Sequence, residues 1–236
     1  DLRGGAGNDT LWGGADGDRL EGEAGQDTLY GGGGIDFLVL DHGANANVNG
    51  DVLHGHFGNA VAFDTADDNA TDILLIEGTP NDDTILISED VEGRLVVAIN
   101  GFASIVDWRD ANGTPVVEQI QVSGLGGNDD LGFAEGSGAV DFSELSARSD
   151  DYLGVLLGGS GNDTLRGTAG ADRIEGGSGS DVLYGYAGDD QLWGDLGDGQ
   201  ASDHDVFYAG QGNDDLIGGS GTNDLYAWSR DPELGG

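Results

Sequence analysis

Apolar residues are sparse and evenly spaced towards both ends of this chain. Leu11, Leu20, Leu29 and Leu38 recur every nine residues, each two residues after an aspartate at Asp9, Asp18, Asp27 and Asp36. The units between Gly4 and Val39 read GGAGNDTLW, GGADGDRLE, GEAGQDTLY and GGGGIDFLV without a gap. The pattern returns from Gly158 to Tyr226 in seven units. Four are regular: GGSGNDTLR from Gly158, GTAGADRIE from Gly167, GGSGSDVLY from Gly176 and GYAGDDQLW from Gly185. A fifth from Gly194 carries an insertion and regains register at Asp205, AGQGNDDLI follows from Ala209, and GGSGTNDLY from Gly218 closes the run. Such a unit predicts a six-residue turn, G-G-x-G-x-D, joined to a three-residue strand. The central strand residue points inward, so the leucines stack into a thin core while their neighbours face solvent.

The middle is less regular but related. Ile76-Glu77-Gly78-Thr79-Pro80-Asn81-Asp82-Asp83-Thr84-Ile85 aligns with Val122 to Leu131, which places Asp83 and Asp129 at equivalent positions. Strands are expected at Thr84 to Ser88 and Leu95 to Ile99, separated by a turn around Glu92-Gly93. The organisation expected is an array over 1–40, an irregular β region with degenerate repeats over 41–150, a second array over 151–228 and a tail over 229–236. The middle reads as the same solenoid with wider coils; the alternative is a small inserted β-sandwich. Helix is confined to at most two turns within Phe142 to Arg148.

Composition agrees with a solenoid rather than a broad globular core: 47 of 236 residues are Gly, and there is no Cys or Met. The absence of Cys excludes disulfides and thiolate metal sites. Forty-five acids against eight bases, all Arg, give a net charge of −37. Nucleic acid is therefore an unsuitable partner, because phosphate binding needs clustered positive charge. No apolar run reaches the roughly 20 residues that span a membrane. No signal peptide opens the chain, and Asp1-Leu2-Arg3 reads as the tail of an earlier repeat, so a piece of a longer protein is expected.

The turns carry the candidate chemistry. Glycine permits φ > 0 and lets backbone carbonyls converge. Calcium takes six to eight oxygens and tolerates carbonyls mixed with carboxylates, so an aspartate at the sixth position would complete such a nest. Without the ion, carboxylates stacked at strand spacing repel one another, and one apolar residue per unit is little to set against them.

These residues resemble the RTX (repeats-in-toxin) calcium-binding family over both arrays, with weaker echoes through the middle. The resemblance implies an all-β fold, a right-handed parallel β-roll with two nonapeptides per coil. It also implies Ca2+ ions held between turns of successive coils by carbonyls and by both aspartates. Carried over, Asp9 pairs with Asp27 and Asp18 with Asp36; Asp163 pairs with Asp181, Asp172 with Asp190, Asp181 with Asp205, and Asp190 with Asp214. Asp83 and Asp129 join this set by alignment. The turn positions implied are Gly4, Ala6, Gly13, Ala15, Ala24, Gly25, Gly33 and Gly34 in the first array. In the second they are Gly158, Ser160, Gly167, Ala169, Gly176, Ser178, Gly179, Gly185, Ala187, Gly188 and Gly212. Departures occur at Asp16 and Glu23, which replace turn glycines, in the insertion Asp198 to His204, and at Asn223, where an aspartate belongs.

Other chemistry is weaker. Aromatics at the ninth position (Trp12, Tyr30, Tyr184, Trp193, Tyr208, Tyr226) would form ladders, which stabilise adjacent strands more often than they bind sugars. His54-Gly55-His56 lacks a third metal ligand, and His42 and His204 stand apart. There is no H-E-x-x-H, no G-x-S-x-G and no Lys, so zinc-protease, lipase-type and Schiff-base chemistry are absent and no enzyme is expected. The expected function is a calcium-binding module of a secreted or cell-surface bacterial protein; the resemblance implies export unfolded by type I secretion and folding on Ca2+ outside the cell. The alternatives are an adhesin or surface-layer segment, with surface glycans or other surface proteins as partners, and a non-catalytic appendage of a secreted enzyme.

Overall fold

The computed structural model describes residues 1–14, 18–24, 27–32, 37–41, 52–54, 73–108, 119–134, 140, 152–195 and 200–227. Among them every regular element is a strand. The expected short helix at 142–148 and the tail at 229–236 lie outside the described residues. Two compact units divide the chain, the first taking Asp1–Glu77, Ile87–Gln121 and Ala134–Arg148, the second Gly78–Leu86, Val122–Phe133 and Ser149–Gly236.

In the first unit, β1 (Leu2–Ala6), β2 (Thr10–Gly14), β3 (Arg19–Ala24), β4 (Thr28–Gly32), β5 (Phe37–Asp41), β6 (Val52–His54) and β7 (Ile73–Glu77) come first. Alternate strands pair in parallel, so the nine-residue period becomes a two-unit register. Leu2 sits beside Leu20, Leu20 beside Leu38 and Leu38 beside Leu74 in one sheet; Leu11 lies beside Leu29 and Leu29 beside Leu53 in the other. Leu11, Leu20 and Leu29 are buried as the alternation requires. The next strands are β8 (Thr84–Glu89), of which only the part from Ile87 belongs to this unit, β9 (Leu95–Ile99) and β10 (Phe102–Asp107). The turn expected near Glu92-Gly93 is closed by Asp90, whose N–H donates to Arg94 O and whose carbonyl accepts from Gly93 N–H. A second hairpin, not foreseen, joins β9 to β10 in antiparallel register through Asn100 (φ 52°) and Gly101 (φ 85°). Asn-Gly between alternating apolar residues is a strong hairpin signal and was available in the sequence.

The second unit contains β11 (Gln119–Ser123) in part, β12 (Asp130–Phe133), β13 (Gly154–Ser160), β14 (Thr164–Arg166), β15 (Asp172–Ser178), β16 (Val182–Tyr184), β17 (Gln191–Trp193), β18 (Val206–Tyr208), β19 (Asp215–Ile217) and β20 (Asp224–Tyr226). Strands β12, β14, β16, β18 and β20 pair in parallel with Leu131, Leu165, Leu183, Phe207 and Leu225 aligned. Strands β13, β15, β17 and β19 do the same with Leu156, Ile174, Leu192 and Leu216. The aligned apolar side chains of these strands form the core, fully buried from Leu131 to Phe207, and Phe133 adds a second buried side chain in β12.

One expectation needs adjustment. Strands β14 and β16 to β20 have the three residues predicted, but β13 and β15 have seven and β1 to β4 have five or six. The ladder runs on into the turn because successive turns stack, keeping Gly159 beside Gly177 and Ser160 beside Ser178.

Candidate metal centre

The parallel register stacks the sixth turn residues directly above one another. In the second unit the backbone N–H of each aspartate donates to Oδ1 of the next. Asp83 donates to Asp129, Asp129 to Asp163 and Asp163 to Asp181, each at 2.8 Å. Asp181 then donates to Asp205 at 3.0 Å and Asp205 to Asn223 at 2.9 Å. A second file starts at Gly154, which donates to Asp172 at 3.0 Å, and continues from Asp172 to Asp190 at 2.9 Å and from Asp190 to Asp214 at 3.1 Å. In the first unit Asp9 donates to Asp27 at 2.8 Å.

Every described pair inferred from the repeat is therefore brought together. Asp36, Ala15, Gly25, Gly33 and Gly34 lie outside the described residues, so the Asp18–Asp36 pair does as well. Asp198 also lies outside them, while His204 contacts Asp224 at 3.2 Å.

Oδ1 is thus spent on the ladder, and Oδ2 is not. The Oδ2 atoms of Asp9, Asp129, Asp163, Asp181, Asp190 and Asp205 are buried with no hydrogen-bond partner. A buried carboxylate oxygen without a donor costs free energy unless something compensates it. Each points at the glycine that opens its turn. A Cβ built on Gly158 would run into Asp163 Oδ2 and Gly176 O, and one on Gly185 into Asp190 Oδ2 and Ala209 O. Orphan carboxylate and next-coil carbonyl thus converge where only glycine leaves room.

Among the described residues no three His, Cys, Asp or Glu side chains cluster as a metal site. Any cation here would take main-chain oxygens alongside carboxylates. That all-oxygen donor set fits Ca2+ rather than zinc or copper.

A family model described as the RTX calcium-binding nonapeptide repeat, four copies, matches residues 3–38, 155–182, 166–201 and 201–225. The chain carries RTX calcium-binding nonapeptide repeats. No curated protein matches it. The RTX matches leave residues 39–154 uncovered, yet Asp83 and Asp129 from that stretch stand in the same ladder as Asp163 and Asp181.

The electrostatics of the stacked turns follow from placing acids in a dry row. Desolvation pushes Asp129 and Asp181 up to about 7 and Asp163 and Asp205 up to about 6. Asp190 is pushed up to about 9, by burial first and then by the Asp172, Asp214 and Asp189 carboxylates. Burial also raises Asp172 to about 7, against hydrogen bonds from Thr168 and Gly154 that favour its charged form.

At the third and fourth turn positions the main chain is also engaged. Gly161 N–H donates to Ser178 O at 2.8 Å, Gly127 N–H to Ser160 O at 2.9 Å and Gly188 N–H to Gln211 O at 2.9 Å. At position two, left-handed backbone is not confined to glycine: Gly159, Gly177 and Gly210 have φ of 106°, 100° and 98°, and Glu23 (68°), Leu125 (70°) and Tyr186 (69°) also adopt positive φ. Two features escaped the sequence reading. Fifth-position side chains form an outer ladder, Asn128 N–H to Asp82 Oδ1, Asn162 N–H to Asn128 Oδ1 and Ser180 N–H to Asn162 Oδ1. The recurrence of Asn or Asp before the ladder aspartate was its signal. The other is a pair of threonines, Thr79 and Thr168, each bonded to the aspartate of its own turn.

Proposed function

We propose that this chain is a non-catalytic, calcium-responsive module of a secreted or cell-surface bacterial protein, a right-handed parallel β-roll that folds when Ca2+ is supplied. The orphaned Oδ2 atoms carry the reading: a stacked row of buried, uncompensated carboxylates is a poor structure for an ion-free chain. Bound Ca2+ would supply the missing positive charge at those oxygens. The chain's own residues do the rest. The opening glycines leave space beside Oδ2, the Oδ1-to-amide ladder sets the spacing of the carboxylates, and Leu165, Ile174, Leu183 and Leu192 provide a core too thin to hold them together unaided.

Extracellular calcium modules have dissociation constants of about 10⁻⁴–10⁻³ M, so such sites stay empty in a cytosol and fill outside the cell. Export of the unfolded chain by type I secretion, followed by folding on arrival, agrees with that difference and with the family's occurrence in secreted bacterial proteins. Far-ultraviolet circular dichroism in chelator against millimolar calcium tests the proposal. Strand signal gained only with calcium supports it; equal strand signal in both conditions overturns it.

An adhesin role would need a recognition surface. The aromatic columns offer one less readily than expected, because their faces cover one another: Trp12 on Tyr30 at 3.9 Å, Tyr184 on Tyr208 at 5.0 Å and Tyr208 on Tyr226 at 5.2 Å. That favours strand stabilisation.

A further inference from the structure

The six-residue turns of the second unit whose aspartate is buried fall into two kinds, divided by the residue at position two. In four of them that residue is Leu125, Gly159, Gly177 or Tyr186, its φ is positive, and the Oδ2 of the turn's aspartate (Asp129, Asp163, Asp181, Asp190) is buried without a partner. In the other two it is threonine. Thr79 N–H donates to Asp83 Oδ2 at 2.5 Å and its hydroxyl donates to the same oxygen at 3.0 Å. Thr168 repeats this on Asp172, N–H to Oδ2 at 2.6 Å and hydroxyl at 3.0 Å. Neither threonine is left-handed.

We propose that the residue at position two decides which turns take calcium, and that Thr79 and Thr168 close theirs with an amide and a hydroxyl in place of an ion. The inference rests on the calcium-responsive reading above and refines it. The carboxylates of Asp83 and Asp172 are as deeply buried as those of the open turns. The difference therefore lies in what faces Oδ2 and not in solvent access. Two donors on one carboxylate oxygen supply the stabilisation that an open turn must obtain from a cation.

The closed turns also have a definite place. Asp83 begins one ladder of the unit, and Asp172 begins the other, its Oδ1 taking the N–H of Gly154, a rung with no carboxylate. At the far end of the first ladder stands Asn223. Its Oδ1 accepts from Asp205 N–H, and its Nδ2 donates to Ser220 O at 3.0 Å. An amide proton there occupies the turn as the threonine donors do at the start. The rungs of that ladder with a bare Oδ2 are bracketed by neutral closures, at Asp83 and at Asn223.

The test counts calcium ions per chain in the full-length protein by equilibrium dialysis. Thr168→Gly is expected to bind one ion more than wild type, Thr168→Ser the same number, and Leu125→Thr one fewer. Leu125 is about half exposed, so its replacement disturbs little packing. Amide exchange of the wild-type chain, followed as calcium is lowered, gives a readout that does not depend on a variant folding. Thr79 and Thr168 N–H should stay protected to lower calcium than Asp163 and Asp181 N–H. Unchanged ion counts in both Thr168→Gly and Leu125→Thr, or simultaneous loss of protection at all four amides, overturn the threonine rule while leaving calcium-dependent folding intact. A wild-type chain that takes up no calcium overturns both.

Discussion

Asp163 donates its backbone N–H to Oδ1 of Asp181 at 2.8 Å, and the second oxygen of each carboxylate is buried without a partner. One contact thus does two things. It sets the rise from coil to coil, and it leaves a charged oxygen that the protein alone does not compensate. Most of the chain's expected behaviour follows from that division between Oδ1 and Oδ2.

Asp181 is bonded on both sides, accepting from Asp163 and donating to Asp205, whereas Asp9 has a ladder partner only in Asp27. Asp181→Ala should therefore be the more damaging change. A calcium titration followed by circular dichroism is expected to show its midpoint raised about tenfold or more, equivalent to about 1.4 kcal/mol. Asp9→Ala should move it less than about threefold. Equal shifts would contradict the ladder.

Gly161 and Gly179 sit at position four with φ of 136° and 134°, and a Cβ on either would overlap the carbonyl of the coil before it, at Gly127 and Gly161. Alanine at either place is expected to cost about 2 kcal/mol or more, from the strained backbone and the displaced coil together. Thermal melting in saturating calcium reads this directly, and a loss below about 0.5 kcal/mol would refute it.

Leu125 offers the reverse test. It holds φ of 70° at a position where glycine is strain-free, and its side chain is about half exposed. Leu125→Gly should raise stability in calcium by about 0.5–1 kcal/mol, the left-handed penalty outweighing the added freedom of the unfolded chain. A lower melting temperature would show that its partial burial matters more.

Acidity should substitute in part for calcium. The folded-state values of Asp129, Asp163, Asp181 and Asp205, about 6 to 7, lie above the ordinary carboxylate value of 3.8. Between about pH 4 and pH 7 the folded chain then holds more protons than the unfolded one, so without calcium its stability falls as pH rises through that window. In chelator, strand signal should be stronger near pH 4.5 than near pH 8. With calcium the trend reverses, because protons and the ion compete for the same oxygens, and the calcium midpoint should rise as pH drops below about 7. A chelated chain whose strand content is independent of pH would count against the buried carboxylate row.

Much of this architecture is legible in the sequence because the period is local and constant. A leucine every nine residues, two after each aspartate, specifies the strands, the buried side chains and the partner of each repeat two units on, as Leu11 beside Leu29 and Leu165 beside Leu183 show. It also specifies which aspartates meet, even across the insertion that lengthens the Asp181–Asp205 step to 24 residues. Tertiary structure decided what periodicity does not encode: which oxygen of each carboxylate meets an amide and which is left bare. Whether residues 46 and 34 apart join the same ladder, as Asp83, Asp129 and Asp163 do, also depended on how the intervening chain returns. Thr79 and Thr168 look like minor substitutions for glycine in a repeat. Their effect appears only when the turn's φ at that position and the placement of Asp83 and Asp172 bring a hydroxyl and an N–H onto one oxygen, because hydrogen bonding depends on distance and direction in space rather than on spacing along the chain.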